Sequence, residues 1–117
     1  TGETPQEALL EIKKFYETKN FTGLVKERYT EIFKADSPDE VNKVIDMLSK
    51  RFAKEKNLRI TLSFLNEAVK VEPKVQFNPS PNENEDEQMA VFQVNMHGNE
   101  IDYKLYKMKN GKWGFHF

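Results

Sequence analysis

The sequence predicts an α+β fold, in which amino-terminal helices pack on a curved antiparallel sheet of about four strands. In the first half of the chain, apolar residues recur at steps of three and four, which is the spacing of a helix buried along one face. The later part alternates apolar and polar residues, which is the period of a strand, and Asn110-Gly111 is a strong hairpin signal. Helices followed by antiparallel strands are typical of the α+β class, and we expect one domain over residues 1–117.

Composition excludes several classes of function. The chain has 18 Lys and Arg against 19 Asp and Glu, so it lacks the basic excess of a nucleic-acid-binding protein. It contains no cysteine, which excludes disulfides, thiolate metal sites and cysteine catalysis. No apolar run approaches the roughly 20 residues that a transmembrane helix needs. Aromatic residues make up 12% of the chain, which is typical of a folded domain with an aromatic core.

Two helix starts share one pattern of capping residue, proline and acid. Thr4-Pro5-Gln6-Glu7 fits a capping box with proline at the first helical position, and Ser37-Pro38-Asp39-Glu40 repeats the signal. An apolar stripe follows each start, made of Ala8, Leu9, Ile12, Phe15 and Tyr16 in the first case and of Val41, Val44, Ile45, Leu48 and Phe52 in the other. Between them, the break at Asn20–Gly23 predicts a second, less regular helix that carries Leu24, Val25, Tyr29, Ile32 and Phe33.

After Asn57 the pattern changes to a period of two. Leu58, Ile60, Leu62 and Phe64 alternate with polar residues, and the phase then shifts at Leu65. A β-bulge at Phe64 or Leu65 would explain the shift. The pattern therefore predicts a long bent strand that ends before Pro73.

The last third of the chain predicts a loop and a meander. Asn78–Glu87 contains two prolines and the acids Glu83, Glu85, Asp86 and Glu87, so we expect a solvated loop rather than a calcium site, which would need regular oxygen spacing and a glycine. Strands follow at Ala90–Met96 and Ile101–Leu105, separated by a turn at His97–Glu100, and a short strand carries Trp113, Phe115 and Phe117.

The register of the final hairpin decides which residues share a face of the sheet. A two-residue Asn110-Gly111 loop would place Met108 opposite Trp113, and would point Ile101, Tyr103 and Leu105 to the other face; a three-residue loop with a bulge would alter this pairing, and the sequence leaves both open. With helices on one face only, we expect Ile101, Tyr103 and Leu105 to form an interface for a second copy or another protein.

The chain resembles a known superfamily in several segments: Thr4-Pro5 with Glu7-Ala8, Phe15-Tyr16 before Asn20-Phe21, and Asn110-Gly111-Lys112-Trp113. It is similar to the NTF2-like (cystatin-like cone) superfamily, and more narrowly to a family of small bacterial exported proteins described as lumazine-binding-like. The resemblance implies a cone that can hold a small apolar ligand, and a periplasmic or lipid-anchored location outside the cytoplasm. The residues expected to line the cone are Phe15, Tyr16, Tyr29, Trp113 and Phe115.

The sequence offers few candidates for catalytic or metal-binding residues. His97 lies in a predicted turn, and His116 lacks a predictable orienting carboxylate, so we expect no catalytic residue, no metal site and no cofactor. The resemblance also implies an alternative, a cavity enzyme of the isomerase or dehydratase type, for which Tyr16, Tyr29, Tyr103 and Tyr106 could supply phenols. A further alternative is an accessory structural domain of an exported lipoprotein. The leading expectation is a non-catalytic binding or interaction domain.

Overall fold

The computed structural model describes residues 2–117 and contains an open antiparallel sheet preceded by helices, which confirms the α+β prediction. The helices are α1 (Pro5–Glu17), α2 (Phe21–Arg28), α3 (Pro38–Ala53) and α4 (Glu55–Ala68), with a short 3-10 helix at Ile32–Lys34. The strands are β1 (Lys74–Phe77), β2 (Glu85–Met96), β3 (Asn99–Met108) and β4 (Trp113–Gly114), paired in the order β1-β2-β3-β4. Within residues 2–117, no helix has both the length and the apolar character needed to cross a membrane.

Both predicted helix starts are confirmed. The Glu7 backbone N–H donates to the Thr4 hydroxyl at 3.2 Å, and the Thr4 N–H donates to the Glu7 carboxylate at 2.9 Å. The Glu40 N–H donates to the Ser37 hydroxyl at 3.2 Å. These bonds satisfy backbone donors that the first turn of a helix leaves without partners.

The predicted strand between Leu58 and Val71 is wrong, since α4 occupies most of that segment. The apolar positions fit a helix equally well, because Leu58, Leu62, Leu65 and Val69 recur at steps of four, three and four. The phase shift interpreted as a bulge is therefore the ordinary period of a helix, and Leu65 faces the core. Ile60 falls outside this stripe and is 58% exposed.

The second predicted helix is shorter than expected. It ends at Arg28, and Tyr29 is extended and forms an isolated bridge with Phe115. The Phe115 N–H donates to the Arg28 carbonyl at 2.7 Å, and the Thr30 N–H donates to the Phe115 carbonyl at 3.0 Å. The backbone here leaves the helix because the carboxy-terminal segment supplies its hydrogen-bond partners.

The final hairpin confirms the predicted turn but not the two-residue loop. Gly111 has φ +86°, as expected for Asn-Gly, and the Met108 N–H donates to the Lys112 carbonyl at 2.8 Å. Tyr106 therefore pairs with Gly114, and Lys107 with Trp113. The loop has three residues, which is the other option that the sequence left open.

This register reverses the predicted faces of the sheet, because a shift of one residue moves a side chain to the opposite face. Leu105 is fully buried, and Tyr103 packs partly against the core, so the placement of Ile101, Tyr103 and Leu105 on an open face is wrong. The outer face is polar and exposed instead, with Gln93, Asn95, Asp102 and Lys104.

The core lies between the helices and the inner face of the sheet. Ile12 and Leu48, from the two predicted apolar stripes, belong to one buried cluster with Trp113, and Val44 packs against it from a half-buried position. Phe92 on β2 pairs with Tyr103 on β3, and both face the helices.

Candidate functional site

The edge of β3 is open over much of its length. β3 has ten residues, but β4 pairs with it only at Tyr106 and Lys107. The chain then leaves β3 to follow Tyr29, through the hydrogen bonds of Phe115 described above. Ile101–Leu105 therefore has no neighbouring strand on that side, and a gap separates it from the carboxy-terminal segment.

A concave space of about 490 Å³, here called the aromatic cleft, lies between this edge and the helices. Its lining residues come from α1, α3, α4, β3 and the carboxy-terminal segment: Tyr16, Arg51, Phe52, Asn57, Ile60, Thr61, Phe64, Ile101, Tyr103 and Phe117. The ring centroids of Phe64 and Tyr103 are 5.6 Å apart, and those of Tyr16 and Phe52 are 5.7 Å apart. Aromatic rings that pack against one another therefore line the cleft, and the cleft is open to solvent.

Several apolar groups of the cleft are left uncovered. Phe117 is 65% exposed, Ile60 58% and Ile101 42%, although all three lie beside buried aromatic residues. The Arg51 guanidinium carbon lies 4.7 Å from the centroid of the Phe117 ring, which is a cation–π distance. Exposed apolar side chains gathered around one concavity are typical of a binding site.

A second space of about 370 Å³, here called the edge notch, continues from the aromatic cleft into the gap beside β3. The two spaces share Tyr16, Tyr103 and Phe117. The notch adds more polar groups, since its other lining residues are Asp102, Lys104, Tyr106, Phe115 and His116. A molecule that fills the cleft can therefore reach polar side chains in the notch.

Two phenols lie where the cleft and the notch meet. Burial raises the pKa of Tyr16 to about 12, and burial, with the nearby Tyr16, raises the pKa of Tyr103. Both groups are therefore neutral hydrogen-bond donors at physiological pH. Within residues 2–117 neither hydroxyl has a hydrogen-bond partner, yet neither is sealed from solvent, since the sealed side-chain atoms without partners are Arg28 Nε and Ser49 Oγ. Both hydroxyls are available to a ligand.

The histidine of the notch lies beside a buried carboxylate. The Glu85 side chain is fully buried, and His116 Nδ1 lies 3.4 Å from Glu85 Oε2. Glu85 also accepts hydrogen bonds from Thr30 Oγ1 at 2.7 Å and from the Asn82 side chain at 3.1 Å. The His116 and Tyr106 rings are 4.0 Å apart. The imidazole thus lies between the Tyr106 ring and a buried carboxylate, with Nδ1 on the side of Glu85.

The expectation that Glu85 lies in a solvated loop is wrong. β2 begins at Glu85, and the preceding asparagines fold back on its carboxylate: the Asn82 N–H donates to it at 3.2 Å and the Asn78 amide at 3.3 Å. Sequence reasoning treated the acids of this loop as equivalent. The spacing of the asparagines around Glu85 was the available signal, because a buried carboxylate needs several donors.

A second polar cluster that the sequence did not reveal, here called the Arg28 cluster, joins the amino-terminal segment, α1, α2 and β4. Arg28 is fully buried and donates to both carboxylate oxygens of Glu3 at 2.6 Å and to the Trp113 carbonyl at 2.8 Å. Glu11 lies 3.2 Å from the guanidinium. The Trp113 indole N–H donates to the Glu3 carbonyl at 3.0 Å. Trp113 therefore fixes the amino-terminal segment.

The five residues expected to line a cone lie in different parts of the structure. Tyr16 lines both the cleft and the notch, and Phe115 lines the notch. Tyr29 lies on another surface, in a shallow hollow of about 360 Å³ beside α3. The Phe15 ring packs against Gly23, where an added Cβ would lie 2.7 Å from Phe15 Cε1. Trp113 belongs to the Arg28 cluster, so these five residues do not form one cavity.

Comparison with protein families, with curated proteins and with solved structures gives no match. Among residues 2–117, no group of three or more His, Asp or Glu side chains is placed to hold a metal ion. His97 is exposed in the turn between β2 and β3, away from the notch. The function is therefore inferred from the residues of the cleft and the notch.

Proposed function

We propose that this protein is a non-catalytic binding domain that holds a small, flat apolar ligand in the aromatic cleft. The supporting observation is the cleft itself, in which exposed aromatic and aliphatic side chains lie beside two phenols whose hydroxyls have no hydrogen-bond partner among the described residues. Its volume of about 490 Å³ lies within the usual range for small-molecule sites.

The lining residues favour an aromatic or alicyclic ring system. Phe52, Phe64 and Phe117 contribute aromatic rings to the lining of the cleft. Aromatic rings prefer offset or edge-on contacts, and such pairs stabilise a complex beyond the area that they bury. Ile60 and Ile101 close the remaining wall with aliphatic surface. The Tyr16 and Tyr103 hydroxyls can bind one polar atom of the ligand.

The cleft explains the exposed apolar residues better than association through the outer sheet face does. That face presents Gln93, Asn95, Asp102 and Lys104 to solvent, and such a surface offers little apolar area for a stable interface. Ile101 and Tyr103, expected to form the interface, point into the cleft instead.

The test uses N-phenyl-1-naphthylamine, a neutral aromatic probe whose fluorescence rises in an apolar site. We expect saturable binding to the wild-type protein. Ile60→Glu places a charge at the mouth of the cleft and should abolish the signal, while the fold is kept because Ile60 is largely exposed. Leu10→Glu is the matched control, since Leu10 is 55% exposed on α1 and does not line the cleft. Equal binding by both variants would contradict the proposal.

An acid–base enzyme that uses the same cleft is a second candidate, favoured by the pairing of His116 with Glu85. A histidine beside a buried carboxylate can transfer a proton to or from a bound substrate. The neutral phenols of Tyr16 and Tyr103 can donate hydrogen bonds to a developing enolate. Exchange of the α-deuterons of 2-tetralone tests this candidate: catalysis by the wild type that is lost in His116→Gln would favour the enzyme over a binding domain.

A further inference from the structure

Alternate residues of β3 direct their backbone groups to the side on which β4 lies. At the end of β3 the Met108 N–H donates to the Lys112 carbonyl on that side, whereas the next N–H, of Lys109, donates to the Asn84 carbonyl directly before β2. The backbone groups of successive residues in an antiparallel strand point to opposite sides in this way. The even-numbered residues of β3 therefore face the β4 side, and the odd-numbered residues face β2.

Three residues of β3 have no strand to bind on the β4 side. The register between β2 and β3 is continuous over residues 99–106, so the alternation holds along that stretch. Glu100, Asp102 and Lys104 then point their N–H and C=O groups to the open edge, where no strand of residues 2–117 pairs with them. Another extended backbone offers acceptors and donors at the matching spacing.

We propose that an extended peptide segment of another protein pairs antiparallel with this edge of β3, in line with β4, and presents an aromatic side chain to the aromatic cleft. The edge notch lies between β3 and residues 115–117, and it is the space that such a strand enters. The inference rests on the proposed function in that the cleft must accept an aromatic ring. In this mode of recognition the main-chain hydrogen bonds give affinity, and pockets for alternate side chains give specificity.

The two faces of β3 determine the sequence of the peptide, because opposed residues of paired strands share a face. The peptide residue opposite Tyr103 lies beside the Tyr103 and Phe117 rings, which line both the cleft and the notch, so an aromatic residue fits there. The residues opposite Asp102 and Lys104 lie on the exposed outer face, where the complementary charges fit. From its amino to its carboxyl end, an antiparallel partner therefore has the order acid, aromatic, base.

A second copy of β3 fits this edge poorly. Pairing centred on Asp102 sets two Asp102 carboxylates opposite one another, and a shift that pairs Asp102 with Glu100 also opposes two acids, which is destabilising. The remaining shift pairs Asp102 with Lys104, but it sets Glu100 opposite Tyr106 of the second copy, where β4 already pairs through Gly114. The charges and the position of β4 thus favour a separate peptide.

The experiment measures the binding of a fluorescein-labelled peptide, Gly-Ser-Glu-Phe-Lys-Val-Lys-Ser-amide, by fluorescence anisotropy. Its phenylalanine is designed to oppose Tyr103, and its first lysine to oppose Asp102. Methylation of the backbone nitrogen of that lysine removes a donor that faces β3, and should weaken binding by at least about tenfold. The matched control is methylated at the valine, whose N–H points away from β3, and should bind like the parent peptide.

An exchange of charge tests the register. Asp102→Lys alters an exposed side chain and should weaken binding of the parent peptide by about two- to fivefold. A peptide with glutamate in place of its first lysine should bind this variant more tightly than it binds the wild type. Hydrogen exchange gives a second readout, since binding should slow exchange of the Asp102 and Lys104 amides.

The outcomes separate this inference from the proposed function. If N-phenyl-1-naphthylamine binds in the cleft but the peptide does not bind, pairing at β3 is wrong and the proposed function stands. If the two methylated peptides bind equally well, the peptide is held without backbone pairing and the inference is overturned. If neither the dye nor the peptide binds, both proposals fail.

Discussion

The Arg28 cluster and the aromatic cleft both place polar groups among aromatic side chains, but they satisfy these groups differently. In the Arg28 cluster a fully buried guanidinium meets the Glu3 carboxylate, the Glu11 carboxylate and the Trp113 carbonyl, and only its Nε lacks a partner. In the cleft the Tyr16 and Tyr103 hydroxyls have no partner within residues 2–117 and remain accessible. A charge buried with its partners holds the fold together, whereas accessible donors without partners are available to a ligand.

The two regions also differ in how far their aromatic side chains are buried. Next to the Arg28 cluster, Trp113 is 3% exposed and its indole N–H is bonded. Beside the cleft, Phe117 is 65% exposed although it packs near Phe52. We therefore expect substitutions in the Arg28 cluster to lower stability, and substitutions in the cleft to lower ligand affinity at little cost in stability.

The largest expected loss of stability follows Arg28→Met. Removing the cation leaves Glu3 and Glu11 without their partner and the Trp113 carbonyl without its donor, so we expect a loss of about 3–5 kcal/mol in the free energy of unfolding. Urea denaturation measures it. Lys112→Met is the control, because Lys112 pairs with Glu27 on the exposed surface and should cost no more than about 1 kcal/mol. Similar losses in both variants would show that the Arg28 cluster does not hold the fold.

A slightly smaller loss is expected for Gly114→Ala. A Cβ at Gly114 would lie 2.3 Å from the Arg28 carbonyl oxygen, so β4 would have to move away from the end of α2. Overpacking of this kind costs about 1–3 kcal/mol, measured by thermal unfolding. Gly2→Ala is the control, since a Cβ there would make only an ordinary contact at 3.6 Å with Gly111. An unchanged melting temperature for Gly114→Ala would contradict the close approach of β4 and Arg28.

The Arg28 cluster should also make the stability of the fold depend on pH in the acidic range. Burial alone would raise the pKa of Glu3, but hydrogen bonds from Arg28 and Trp113 and the charges of Arg28 and Lys112 outweigh it, so the pKa is lowered from 4.5. A lowered pKa in the folded state stabilises the protein above the unfolded value, and this stabilisation is lost as the pH falls below about 4.5 through the folded pKa. Glu3→Gln should lose less stability than the wild type as the pH falls from about 5 to about 3, a range that spans the unfolded value. Parallel curves would exclude this role of Glu3.

The smallest effect on stability is expected in the cleft. Tyr103→Phe removes a hydroxyl that has no hydrogen-bond partner within residues 2–117, so the free energy of unfolding should change by less than about 0.5 kcal/mol, while the affinity for N-phenyl-1-naphthylamine falls. Trp113→Phe removes an indole N–H that is bonded to the Glu3 carbonyl and should cost clearly more stability. If Tyr103→Phe proved the more damaging of the two, the division between the two regions would be wrong.

Local signals predicted several elements because a few neighbouring residues determine them. Thr4 and Glu7 form a capping box in any helix of this kind, and Asn110-Gly111 favours a positive φ regardless of the rest of the chain. The segment around Leu58–Val69 fits both periods, and packing against the sheet selects the helix. One extra residue in the last loop reversed the faces of β3, which no local pattern determined.

The site was less predictable than the fold because its contacts join distant parts of the chain. His116 lies beside Glu85, and Tyr16 and Tyr103 line the same cleft, only after the sheet and helices have packed. Arg28 is unremarkable in the sequence as one of 18 basic residues, and its burial depends on Glu3 and Trp113. Of the residues expected to line a cone, Tyr16 and Phe115 border the cleft or the notch, whereas Tyr29 and Trp113 lie elsewhere because the packing of α2 and β4 places them there.

Intermolecular NOE spectroscopy of isotope-labelled protein with N-phenyl-1-naphthylamine tests the central claim most directly. The account predicts NOEs from the probe's ring protons to the side chains of Phe64, Tyr103 and Phe117, which border the aromatic cleft. NOEs to Tyr29 and Met47, in the separate hollow beside α3, in place of those to the cleft would contradict it.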